Sequence, residues 1–110
     1  MASGSNAVSK ENKLIARYVA EHHENIDGSG YPAGLRGEEI ALESRIIRVV
    51  DAYLAMTLDR PYRLAMSPEA AAEELRRCAG THFDPDVVDA VLEPGVLADA
   101  GLPALSAVFA

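Results

Sequence analysis

At 110 residues the chain fits one small domain, and 49% hydrophobic residues suffice for a core of its own. A formal charge of -7 excludes general affinity for nucleic-acid polymers and for an anionic membrane surface, both of which need a basic footprint. Cys78 is the single cysteine, which excludes an intramolecular disulfide and points to a reducing, cytoplasmic compartment.

Tryptophan is absent, aromatics make up 5% and alanine is abundant, so the interior is expected to consist of helices packed through Ala, Leu, Ile and Val. Residues 1–7 (MASGSNA) are small, polar and tag-like, and are placed outside the fold. Ser9 is positioned to cap a first helix over 9–24, with apolar rows Leu14, Tyr18, His22 and Ile15, Val19, His23 at four-residue spacing. Both histidines therefore end rows expected to face the core, either as ordinary hydrogen-bonded imidazoles or as ligands for a metal.

Residues 27–34 (DGSGYPAG) force a break, with three glycines and a proline that cannot continue a helix. After a short connection over 35–42, a second long helix is expected over 43–58, with Ile46, Ile47, Val50, Tyr53, Leu54 and Thr57 inward. Asp51 lies between Ile47 and Leu54 on that side, where an unpaired carboxylate is costly to bury. It calls for a cation, supplied by a metal or by Arg45 or Arg48 in an ion pair.

Pro61 interrupts the chain within the basic turn Asp59-Arg60-Pro61-Tyr62-Arg63, a loop with recognition chemistry or a solvated turn. Ser67-Pro68-Glu69 opens a third helix that ends at Gly80, and Asp84-Pro85 opens a fourth to about residue 93. Residues 96–110 form an apolar tail, charged only at Asp99, expected to be helical and to dock or associate. The sum is an all-α bundle of four to five helices.

Charge is uneven along the chain. From Ser44 to Arg63 four arginines stand against two aspartates, whereas from Glu69 to Asp99 two arginines stand against eight acids. A small anionic molecule finds its best reception in the first segment. No apolar run approaches the roughly 20 residues of a membrane span, and no phosphate-binding glycine loop of the Walker or dinucleotide type is present.

The residues His22-His23-Glu24, Asp27-Gly28-Ser29-Gly30-Tyr31-Pro32, Gly34-Leu35, Arg45-Ile46-Ile47, Asp51, Asp59-Arg60-Pro61-Tyr62-Arg63 and Phe83-Asp84-Pro85 resemble the HD-GYP family, in register from about residue 17 to 92. The resemblance implies a helical, bacterial, metal-dependent phosphodiesterase that hydrolyses cyclic di-GMP. It assigns His22, His23 and Asp51 to divalent metal, such as iron or manganese. It assigns Arg60, and less strongly Arg63, to substrate phosphate. Asp27, Gly28, Gly30, Tyr31 and Pro32 would form the motif loop, which in the family also meets partners such as diguanylate cyclases.

The resemblance also carries departures. The family's His-Asp pair, a lysine and further ligands lie on helices before the HHE string, whereas the 21 residues before His22 contain neither His nor Asp. Leu54 stands where relatives often carry Asp. The expectation is thus the C-terminal half of such a domain over 8–95, inactive as this isolated stretch and homodimeric through 14–19 or the tail. The alternative is a non-catalytic protein-interaction or cyclic-dinucleotide-binding signalling module.

Overall fold

A computed structural model describes residues 2–103, with side chains from Lys10 onward. The described chain is all-helical: α1 (Ala2–Glu21), a single 3-10 turn at Gly37–Glu39, α2 (Leu42–Thr57), α3 (Pro68–Arg77), α4 (Pro85–Val91) and a short α5 (Val96–Asp99). Residues 104–110 of the expected tail lie outside the described residues.

The two capping signatures operate as the sequence predicts. The Ser67 side chain accepts from the amide of Ala70 with Pro68 at the first helical position, and Asp84 accepts from Asp86 with Pro85 following. The first helix departs from expectation. It begins at Ala2, so residues 2–7 are helical, and Ser9 sits within the helix rather than capping it. Extending an existing helix adds one hydrogen bond per residue fixed, and nothing in 2–8 breaks it.

Helix α2 is central. Its core stripe is Val49, Tyr53 and Thr57, packed against Ala71, Ala72 and Leu75 of α3 and Val87, Val88 and Val91 of α4. Small alanines on α3 let the helices approach closely, and Cys78 is buried in the same cluster. The Tyr53 hydroxyl donates to the Pro103 carbonyl at 2.5 Å and ties the end of the described chain to the core.

Three expectations about facing fail. Leu14, Ile15 and Val19 are exposed on α1, and so is His23, while His22 is half-buried. Ile46 and Ile47 are exposed on α2. Asp51 is also exposed rather than inward, and neither Arg45 nor Arg48 pairs with it. The cause is common to all three: a four-residue spacing shows which residues share a side of a helix, but not which side meets a neighbour. In α2 the core takes the Val49–Tyr53–Thr57 side, and α1 takes the other.

Candidate active site

The stripe of α2 opposite the core organises the site. Ser44, Arg48, Asp51 and Ala55 recur at intervals of four, three and four, within a wedge of about 60° around the helix. The first three contacts along this stripe fix what lies beside Asp51. The Ser44 hydroxyl donates to the Tyr18 carbonyl of α1 at 3.1 Å. Arg48 Nη2 donates to Asn25 Oδ1 at 3.0 Å, in the segment just after α1. Ala55 offers its carbonyl to Arg63 Nη2 at 2.6 Å. The exposed Asp51 carboxylate therefore lies along α2 between the glycine loop and the basic turn.

His22 and His23 stand where α1 ends. Their ring centroids are 3.9 Å apart with planes tilted by 39°. His22 Nδ1 lies close to the Val19 carbonyl, and since a carbonyl only accepts, the contact suits the tautomer with the proton on Nδ1. The Nε2 lone pair is then the one left for a ligand, the arrangement by which a backbone carbonyl fixes a metal-ligating tautomer. His23 is exposed, and Tyr31 stacks on it with centroids 5.0 Å apart and planes at 14°.

The loop between them is held from inside. Glu24 is 2% exposed, and its two carboxylate oxygens accept from the amides of Ala33 at 2.8 Å and Leu35 at 2.9 Å. Two charge-assisted bonds satisfy a carboxylate that would otherwise be costly to bury. The amides of Ile26 and Asp27 donate to the carbonyls of His82 and Thr81 at 3.3 and 3.1 Å, so the loop is also stitched to the turn before α4. The Tyr31–Pro32 peptide is cis. Gly30 is packed so tightly that a Cβ there would lie 2.6 Å from the His23 carbonyl oxygen and 2.7 Å from Glu24 Cα. Gly28 has φ +86°, a conformation that side chains oppose.

Two electrostatic features border the loop. The Ser29 hydroxyl and amide hold the Asp27 carboxyl below the ordinary aspartate range. Arg48, half-buried, places its guanidinium over the Phe83 ring at 5.1 Å from the centroid, and its Nε has no hydrogen-bond partner.

On the far side, Arg60 and Arg63 close the basic turn by exchanging backbone hydrogen bonds at 2.9 and 3.1 Å. Asp59 Oδ1 accepts from the Ala65 amide at 2.7 Å. Arg63 thus caps the carboxyl end of α2, while Arg60 is exposed and makes no ion pair among the described residues. Of the expected site residues, the fold brings His22, His23 and Tyr31 into contact and ties Arg63 to Ala55, one helical turn along α2 from Asp51. It does not draw three His, Cys, Asp or Glu side chains into one metal-binding group among the described residues. Imidazole and carboxylate are nonetheless donor types that a divalent first-row ion accepts.

Sequence reasoning gave no role to Glu24, and offered Arg48 only as an ion-pair partner for Asp51, whereas the fold turns it to Asn25 and Phe83. A glutamate directly before a glycine-rich loop whose amides need acceptors was the available signal for the first. Arg48 carried none.

A family model described as HD domain matches residues 3–87. The chain is 51% identical over 85 residues to the cyclic di-GMP phosphodiesterase response regulator RpfG of Xanthomonas campestris, covering 74% of this chain and 22% of that protein. It is 42% identical over 74 residues to 3'3'-cGAMP-specific phosphodiesterase 3 of Vibrio cholerae, covering 67% and 16%. A crystal structure of a cyclic GMP-AMP-specific phosphodiesterase from V. cholerae superposes with a TM-score of 0.62 at 26% identity, over 76% of this chain and 20% of that one. The chain spans about a fifth of the length of these relatives.

Proposed function

This chain belongs to the HD-domain family, and from that premise we propose that it supplies one wall of a metal-dependent phosphodiesterase site of the HD-GYP kind, acting on a cyclic purine dinucleotide such as cyclic di-GMP. The observation that carries the reading is the position of Asp51, bare on α2 between the loop anchored by Glu24 and the turn closed by Arg60 and Arg63. His22, His23 and Asp51 would hold the divalent ion, iron or manganese. When bound, such an ion lowers the pKa of a coordinated water and stabilises charge on phosphorus-bound oxygen. Arg60 would meet the phosphate, and Arg63 would do so with the donors left free by Ala55.

In this reading the 110 residues bind but do not turn over, because three protein donors leave a metal weakly held. The test is calorimetry with manganese and with cyclic di-GMP, together with chromatography of the nucleotide after incubation. Binding that His22→Ala and Asp51→Ala weaken supports it. Hydrolysis by the 110-residue chain alone would overturn the inactivity, and no binding of either ligand would overturn the site.

A second reading, a non-catalytic interaction module, is favoured by one observation: Tyr31 is 62% exposed on the loop rim. A diguanylate cyclase domain would be its partner, and failure of such a domain to shift the Tyr31 resonances would remove this reading. We further propose a cytoplasmic homodimer through Leu14, Ile15 and Val19 of α1, an apolar ridge that a second copy would cover. A monomeric mass by light scattering at micromolar concentration would rule it out.

A further inference from the structure

The basic turn has a second feature that the phosphate reading leaves unused. Its tip is aromatic and bare: Tyr62 is 81% exposed, although the residues on either side of it are fixed. Arg60 and Arg63 are joined through both backbone hydrogen bonds, Asp59 closes onto Ala65, and Met66 donates its amide to the Met56 carbonyl at 2.7 Å. Arg63 is clamped to Ala55. The turn is thus fastened to α2 at two points and closed on itself at two more, while the ring it presents is largely bare to solvent.

We propose that Tyr62 is a stacking platform for one purine base of a cyclic dinucleotide whose phosphate lies against Arg60. This rests on the function proposed above and adds to it the residue that reads the base. An exposed ring two residues from a guanidinium that makes no ion pair among the described residues offers two kinds of surface within three residues, a flat π-face and a fork of phosphate donors. A nucleotide presents the matching pair, a base and a phosphate. Ala55, to which Arg63 is bound, lies four residues or about 6 Å along α2 from Asp51, so a dinucleotide based at the turn reaches toward that carboxylate. Stacking tolerates different bases, because every purine has a π-face, and the platform therefore accepts guanine and adenine alike.

The chain contains no tryptophan, which supplies a direct test. Tyr62→Trp introduces a single indole, and titration with cyclic di-GMP should quench its fluorescence along the same isotherm that calorimetry gives for the unaltered protein. Tyr62→Ala should weaken cyclic di-GMP about ten- to a hundredfold, and Tyr62→Phe should stay within about twofold, since the ring and not the hydroxyl stacks. The side chain is exposed, so unchanged circular dichroism is expected for all three. If the unaltered protein binds cyclic di-GMP but Tyr62→Ala binds it equally well and the indole is not quenched, the platform is refuted and the phosphodiesterase site stands. If the unaltered protein binds no cyclic di-GMP, the site reading fails and the platform with it.

Discussion

Arg45 of α2 reaches Asp84 at the start of α4, Nη1 to Oδ2 at 2.6 Å, and both side chains are largely removed from water. The other Asp84 oxygen accepts from the Asp86 amide at 2.9 Å, and Arg45 Nε donates to the Ile40 carbonyl at 3.0 Å. One carboxylate therefore caps α4 and fixes it to the helix that carries Asp51. Asp84→Ala removes both roles and should cost about 3–4 kcal/mol, whereas Asp84→Asn keeps the cap and should cost about 1–2 kcal/mol. Urea unfolding with unchanged slope gives the comparison, and equal losses would show that the cap contributes nothing beyond the charge pair.

Glu24 holds the loop through main-chain amides, so its removal should be felt at Ala33 and Leu35 before anywhere else. Glu24→Ala leaves two donors without acceptors and should destabilise by about 3 kcal/mol, with faster hydrogen exchange at those two amides. Glu24→Gln retains one carbonyl acceptor and should fall between. Unchanged exchange at Leu35 in the alanine variant would contradict the anchoring role.

At Gly30 the backbone of 23–25 leaves no room for a methyl group. Gly30→Ala should cost at least about 2–3 kcal/mol and separate Tyr31 from His23, because the loop must move outward to accept the added atom. The ring-current shifts of the His23 protons report the stacking directly. Their persistence in a folded Gly30→Ala protein would show that the loop yields elsewhere.

Asp27 supplies a pH dependence with a definite sign. Its carboxyl is held below the usual range by Ser29, so the folded loop favours the charged form. The contribution is complete above the ordinary aspartate value near 4 and is lost as pH falls through the lower folded value. The Ser29 amide resonance should titrate with a midpoint below about 4, and Ser29→Ala should raise that midpoint.

Legibility in the sequence followed the kind of force involved. Local backbone chemistry was readable: Ser67-Pro68 and Asp84-Pro85 opened helices because capping and a fixed φ act within a few residues. The break at 27–34 and the extent of α2 were readable for similar reasons. The orientation of a helix was readable only in part: Tyr53 and Thr57 face inward as expected, but Ile46 and Ile47, expected on the same side, are exposed, because only the tertiary neighbour fixes where the inner side ends. The burial of Glu24 was hidden for the opposite reason, because an isolated carboxylate argues for exposure until the amides of Ala33 and Leu35 come back from nine and eleven residues away.

The loop's fastening has a consequence for how this protein can change over evolutionary time. Glu24 grips the amides of Ala33 and Leu35, and the carbonyls of Thr81 and His82 receive Ile26 and Asp27, so the partners at all four positions contribute main chain only. Substitution of Ala33, Leu35, Thr81 or His82 by anything other than proline keeps the main-chain groups that make those bonds. These positions can thus drift in side-chain character while the frame that positions His22, His23 and Tyr31 stays the same.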